Sequence, residues 1–395
     1  MNSRKSDFLM IAKTMHGLED VLIKELEELG AKKITKHTRA VEFYGNEELL
    51  YKSNICLRTA LRILKPIYFF KANNENELYN KTKEINWQNH LKLNDTFIIN
   101  STISNSKSFN NNQFVSQKIK DAIVDQFSEK YGRRPSINKL TPTIVINVHL
   151  KNNNCQISLD SSGESLHKRG YRIQKGKAPI NEVLAAGILL LSGWNKNSTL
   201  KDPMCGSGTI IIEAGLIAKN QAPNKKRKNF GFMKWPEYNE KTYLKIIEEI
   251  EKKEVKDLNI ITGSDIHFGA ISASRKNINE VNLSNSISLK RFDFFKQKKI
   301  HEKCHLIFNP PYGERLEIKN DNFYSDIGNI LKKYFLDSSV WIITSDKDKS
   351  KLIGLKPSKK YKLYNGKLEC HLLKFDIYSG TKKYEKKVNT NTKYN

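Results

Sequence analysis

Cysteine is scarce and unpatterned in this chain. The five cysteines (Cys56, Cys155, Cys205, Cys304 and Cys370) are odd in number, scattered over 395 residues, and show no C-x-x-C spacing. That argues against a disulfide framework and against a zinc site, so no metal is expected and a reducing cytoplasm fits best. Long apolar runs are missing too. The longest, residues 183–191, is too short to span a bilayer, and the run 8–12 is too short for a secretory leader. A soluble protein is expected. Acidic residues are under-represented: 42 Asp+Glu face 68 Lys+Arg, a net charge of +26. Part of this reflects a composition rich in Lys, Asn and Ile, but such a bias does not by itself create a large net excess. A polyanionic partner follows, most simply nucleic acid. The length allows two or three domains.

A glycine is also missing where a dinucleotide fold would need it. Asp202-Pro203-Met204-Cys205-Gly206-Ser207-Gly208-Thr209 follows a short lead (198–201) and opens an apolar helical run, 210–218. Strand, glycine turn and helix are the context of a nucleotide-cofactor loop, because glycines admit close backbone approach and a helix start offers free N–H groups. Ile211 occupies the third-glycine position, which disfavours a nicotinamide dehydrogenase. Downstream, residues 259–265 read as a strand ending in Asp265, an acceptor for two ribose hydroxyls. Residues 288–294 then place Asp293 as a second acid, suited to an adenine amine. Either acid alone is as well explained as a cap or turn residue.

The run Cys304-His305-Leu306-Ile307-Phe308 ends in Asn309-Pro310-Pro311-Tyr312. An amine on an aromatic ring is a poor nucleophile, since its lone pair is delocalised. A side-chain amide oxygen and a prolyl carbonyl can accept its hydrogens, two prolines fix their directions, and a tyrosine ring can stack on the base. The ordered set of glycine loop, ribose acid, adenine acid and clamp resembles the class I S-adenosylmethionine (SAM)-dependent methyltransferases that modify exocyclic amines. A hairpin signal at Asn365-Gly366, flanked by 361–364 and 368–377, agrees with it. Sheets of that class end in such a hairpin, with one antiparallel strand in a mostly parallel α/β sheet.

The N-terminal half is more diffuse. A strand (8–12), a helix with Leu18, Val21, Leu22, Leu26 and Leu29 on one face, a strand (40–44), a helix near 47–53 and a strand (61–67) make a small α/β unit. A strand at 97–100, an amphipathic helix (114–127) and strands 143–150 and 155–160 across an Asn152-Asn153-Asn154 turn follow. Ser116-Gln117, residues 120–125, Arg134-Pro135 and Leu159-Asp160-Ser161-Ser162-Gly163 resemble a THUMP domain, an RNA-binding module. The first 60 residues resemble the ferredoxin-like domain that usually precedes it.

Two basic segments interleave with aromatics. One contains Lys168, Arg169, Tyr171 and Arg172; it reads as an RNA grip or a charged linker. The other, Lys225-Lys226-Arg227-Lys228 followed by 229–236, reads as a nucleic-acid contact, an active-site lid, or a solvated turn whose aromatics cover the domain edge.

Together with residues 309–316 and Asn365-Gly366-x-Leu368-x-Cys370, the 159–172 segment resembles the bacterial 23S ribosomal RNA guanine-N2 methyltransferases that carry a THUMP domain. The resemblance implies a ferredoxin-like domain (1–65), a THUMP domain (66–163), a class I methyltransferase domain (164–380) and a basic tail (381–395). It implies SAM as cofactor and 23S rRNA or a large-subunit precursor as partner. It places Asp202, Pro203, Gly206, Ser207, Gly208 and Thr209 around the methionine and sugar end. Asp265 with Ile266 falls at the ribose and Asp293 with Phe294 at the adenine. Asn309, Pro310, Pro311 and Tyr312 hold the guanine. A second methyltransferase domain, present in some members, is expected to be absent. Adenine N6, guanine N2 of transfer RNA, and a non-catalytic assembly factor stay open as alternatives.

Overall fold

The computed structural model describes residues 6–174, 179–255, 260–311 and 322–378. The N-terminal elements are β1 (Phe8–Thr14), α1 (Glu19–Glu28), β2 (Lys32–His37), β3 (Ala40–Gly45), α2 (Glu47–Cys56), β4 (Ala60–Lys71), α3 (Glu75–Lys83), β5 (Thr96–Ser104), α4 (Asn112–Tyr131), β6 (Ser136–Ile137), β7 (Ile144–Lys151) and β8 (Asn154–Asp160). Then come α5 (Glu182–Ser192), β9 (Leu200–Asp202), α6 (Thr209–Ala218), α7 (Glu240–Glu251), β10 (Ile261–Asp265), α8 (Phe268–Glu280), β11 (Ile287–Arg291), β12 (His305–Phe308), α9 (Phe323–Tyr334), β13 (Ser339–Thr344), β14 (Lys359–Asn365) and β15 (Leu368–Asp376). They divide into two compact units.

The first unit comprises Met1–Thr14, Leu22–Lys168 and Asn224–Glu249. Its sheet runs β2-β3-β1-β4-β8-β7-β5-β6. The twelve-residue β4 makes the sheet continuous, pairing with β1 along one edge and β8 along the other. Along β7 buried and half-buried residues alternate, the period-two pattern of a strand with one face turned to the core. Helix α4 is fixed at both ends: the Asn111 side chain accepts from the Gln113 and Phe114 N–H groups, and Gly132 closes it in the left-handed conformation.

Residues 224–249 interrupt the catalytic half in sequence but pack in this first unit. Their aromatics Phe230, Phe232, Tyr238 and Tyr243 gather with Tyr51 of α2, whose ring stacks on Phe232 at 4.4 Å. Gly231 makes this approach possible. A Cβ there would lie 2.3 Å from the Asp160 carbonyl oxygen, while the neighbouring Phe232 N–H donates to Ser161 O.

The second unit comprises Met15–Val21, Arg169–Pro223 and Ile250–Asn395. Its sheet order is β11-β10-β9-β12-β13-β15-β14, parallel except for β15, which is antiparallel to both β13 and β14. Strand order reverses between β9 and β12. In open α/β sheets the crevice at such a switch point, beyond the carboxyl ends of the strands, receives ligands. Close helix–sheet packing is visible at Gly263 of β10, where a Cβ would sit 2.5 Å from Ile211 Cδ1 of α6. The residue that displaces the dinucleotide glycine is therefore a fully buried packing residue.

Candidate functional site

Three strands deliver the predicted residues to one end of the second sheet. Asp202 closes β9, Asp265 closes β10, and Asn309 follows β12. The glycine turn after β9 is tied down group by group. Asp265 accepts the Gly206 N–H on Oδ2 at 3.0 Å and the His267 N–H on Oδ1 at 2.9 Å. Ser274 of α8 donates to Gly206 O at 2.8 Å, and Asn277, one turn later, donates to Ser207 O at 3.0 Å. Cys205 N–H donates to Ser264 O at the end of β10. Gly206 and Gly208 both adopt positive φ, and a Cβ at Gly208 would press on Ser274 Oγ at 2.9 Å. A Cβ at Gly206, in contrast, would meet nothing within 4 Å. The loop thus keeps an open face toward the crevice, bordered by the free N–H groups of the α6 start.

Asp202 is buried, its Oδ1 accepting the Met204 N–H at 3.1 Å. Burial pushes its carboxyl well above the usual aspartate range, and the Asp265 charge adds to that; the Met204 bond opposes it. Burial likewise raises the Cys205 thiol, reinforced by Asp202 and Asp265, so this cysteine packs as a neutral thiol. Pro203, Ser207 and Thr209 are buried in the turn. Ile266 stays 49 % exposed beside the ribose acid, its carbonyl accepting from Arg291 Nε at 3.1 Å.

Asp293 caps a short helical turn, its Oδ1 accepting the Phe295 N–H. The structure places the Phe294 side chain in the core. Its ring is buried with Phe308 and Phe335, because an aromatic just after β11 finds the apolar back of β12 before it finds the crevice.

At the clamp, Pro310 is buried and Pro311 half-buried. The Asn309 Oδ1 is buried and has no hydrogen-bond partner among the described residues. Tyr312 lies outside the described residues.

The two basic segments are largely engaged by the protein itself. Arg169 is buried in an ion pair with Glu213 of α6, and the Tyr171 hydroxyl donates to the same carboxylate at 2.9 Å. Neither is presented to a polyanion. Arg172 is also turned inward, donating through Nη2 to Ile180 O and Thr209 Oγ1 at 2.8 and 3.0 Å and lying 3.3 Å from the Glu182 carboxylate. Lys168 remains exposed, paired with Glu164. Arg227 donates to the carbonyls of Ser162, Glu164 and Ser165 and stacks on Phe230, so it fastens residues 224–249 within the first unit. Lys225 is half-buried and Lys226 exposed beside it. Composition alone does not separate these arrangements, because a buried ion pair and a nucleic-acid grip draw on the same residues. Ser274, Asn277 and Arg172 went unnoticed as supports of the glycine loop. The signal was available for the first two: polar residues three apart on the buried face of a helix.

Among the described residues, no helix is long and apolar enough to cross a membrane. Three family models match in order: the RlmL ferredoxin-like domain over residues 9–64, the THUMP domain over 72–160, and the RMKL-like methyltransferase domain over 169–374. The chain is 37 % identical over 93 % of its length, and 96 % of the relative's, to a Synechocystis protein named "Putative RNA methyltransferase slr0064". It is 38 % identical over 97 % of its length to the ribosomal RNA large subunit methyltransferase K/L of Buchnera aphidicola from Schizaphis graminum. The chain spans only 57 % of that relative. Among solved structures, SMU.472 in complex with S-adenosylhomocysteine (SAH) superposes with a TM-score of 0.85 at 33 % identity, covering 95 % of this chain and all of that one. The site here fits the same cofactor: an open glycine face beside carboxylates at the ends of β9 and β10. The cofactor is S-adenosylmethionine, and the chain belongs to the THUMP-containing, RMKL-like family of class I SAM-dependent methyltransferases.

Proposed function

We propose that this protein methylates the exocyclic N2 amine of a guanine in 23S ribosomal RNA. The observation that carries the reading is the Asn309 Oδ1, a buried acceptor without a partner among the described residues, at the switch-point end of β12. An orphaned buried acceptor costs free energy that a donor from a ligand would recover. A base amine is such a donor. S-adenosylmethionine supplies an electrophilic methyl group on a sulfonium centre. Asp202, with the loop 206–209, holds the methionine and sugar end, Asp265 the ribose, and Asp293 the adenine amine.

Asn309 Oδ1 and the Pro310 carbonyl take the two hydrogens of the target amine and set its orientation. Both contacts strengthen as positive charge builds on that nitrogen, the condition for lowering a barrier rather than merely binding. Tyr312 stacks on the base. Residues 66–163 supply the RNA-binding module, residues 164–380 the catalytic one, and a net charge of +26 suits a polyanion. The THUMP match and the relative named for the large ribosomal subunit support an rRNA substrate. Free thiols and an RNA substrate are compatible with the cytoplasm.

The test is transfer of labelled methyl from SAM to RNA of a strain lacking this gene, with nucleoside analysis of the product. N2-methylguanosine in large-subunit RNA is expected. N6-methyladenosine would overturn the base assignment while keeping the clamp. No transfer to ribosomal precursors or to protein-free RNA would favour a binding factor instead.

A further inference from the structure

Residues 171–174 lie against the cofactor loop as a strap, stitched to it by two side chains that no sequence pattern assigned to the cofactor. Asn277 is 1 % exposed and spends its whole amide on the junction. Its Nδ2 donates both to Ser207 O and to Gln174 O, at 3.0 Å each, while its Oδ1 accepts the Gln174 N–H at 3.1 Å. Two donors and one acceptor are thus used at once, which only a carboxamide of this length can do in that space. Arg172 makes the second stitch. Its Nη2 reaches Thr209 Oγ1 at the first residue of α6 and also Ile180 O and Glu182 at the start of α5. One guanidinium therefore binds together the start of α5, the start of α6 and the strap. Thr209, expected at the methionine and sugar end of the cofactor, has its hydroxyl oxygen engaged by Arg172.

We infer that Asn277 and Arg172 are positioning residues for S-adenosylmethionine: they hold Ser207 and Thr209 so that the loop is already in its binding shape before the cofactor arrives. Neither has to touch the ligand. Ser207 O and Thr209 Oγ1 flank Gly208, whose positive φ presents the helix start to the crevice. Releasing them lets the loop sample other shapes, and binding must then restore the order at a cost in affinity.

The experiment is calorimetric titration of the full-length protein with SAH, without RNA, alongside ligand-free thermal melts. Its outcome is independent of which base is methylated. Asn277→Ala is expected to weaken SAH binding roughly tenfold, the scale of an uncompensated buried hydrogen bond. Arg172→Lys keeps the positive charge beside Glu182, loses the guanidinium's reach to Thr209 Oγ1 and leaves the loop residues unaltered, so it carries the test even if Asn277→Ala does not fold; about threefold weakening is expected. A purely structural role would lower the melting temperature and leave the affinity of the folded protein intact. SAH affinity within about twofold of the parent in the folded variants overturns the inference.

Discussion

Asn54 in the first unit and Asn309 in the second are both asparagines with buried amide atoms, and they are satisfied in opposite ways. Asn54 is fully buried: its Nδ2 donates to Leu50 O and Ser161 Oγ, and its Oδ1 accepts from Ser162 Oγ. Even its backbone carbonyl accepts from Asn224. Every partner is scaffold, so the residue locks α2, the 161–162 turn and residues 224–249 into one body. Asn309 offers a buried oxygen that no described residue meets. The difference teaches how to separate architecture from function when residue type is the same. A saturated buried amide belongs to the fold, while an unsaturated one at a switch point awaits a ligand.

That contrast can be broken most directly at Asn309. Asn309→Ala should cut methyl transfer by about 10²-fold or more at saturating SAM, with SAH affinity and melting temperature nearly unchanged. Steady-state kinetics with calorimetry checks this; collapse of SAH affinity with turnover intact would remove the residue from the reaction. The first unit should answer in the reverse manner. Phe232→Ala, which empties the stack against Tyr51, should destabilise by about 3–5 kcal/mol in denaturant melts.

Arg227→Ala should cost about 1–3 kcal/mol by stranding three carbonyls. The salt dependence of RNA binding by the folded protein should stay the same. A shallower salt slope would return Arg227 to the RNA contacts.

The smallest effect concerns pH. Burial holds the folded-state pKa of Asp202 above its unfolded value, so ionisation penalises the native protein. The penalty grows as pH rises from the ordinary aspartate value, about 4, toward the folded one, and is constant above it. Asp202→Asn should therefore melt higher than the parent at neutral pH, and the gap should close in acid. A gap that is flat with pH would contradict this account.

The second unit was the more legible half. The strand–glycine–helix junction, the strand leading to the clamp and the terminal hairpin all lie where residue order placed them, because each is a local pattern with a local cause. The hairpin turns at Gly366-Lys367 with Asn365 paired to Leu368. In the first unit, β2 escaped notice. It is an edge strand of sequence KKITKH with no buried residue, so it carries no alternation to read. Helix α3 escaped for a similar reason, burying only Leu78 and Thr82. The burial of Arg169 was not legible because its partner is Glu213, 44 residues away. Nothing local distinguishes that pair from two solvated charges. The placement of residues 224–249 was equally hidden, since a glycine that tolerates a carbonyl at contact distance looks like any other glycine.

That placement has a consequence for biosynthesis. The first unit is discontinuous in sequence, and its core closes only when Phe230, Phe232 and Tyr243 reach Tyr51. On the ribosome, residues 169–223 emerge before that can happen. The nascent chain thus holds α5, β9, the glycine turn and α6 in waiting while the first sheet still lacks its last layer. A nascent chain stalled near residue 223 would therefore hold Tyr51 without Phe232, Tyr238 and Tyr243, the aromatic partners it has in the finished fold.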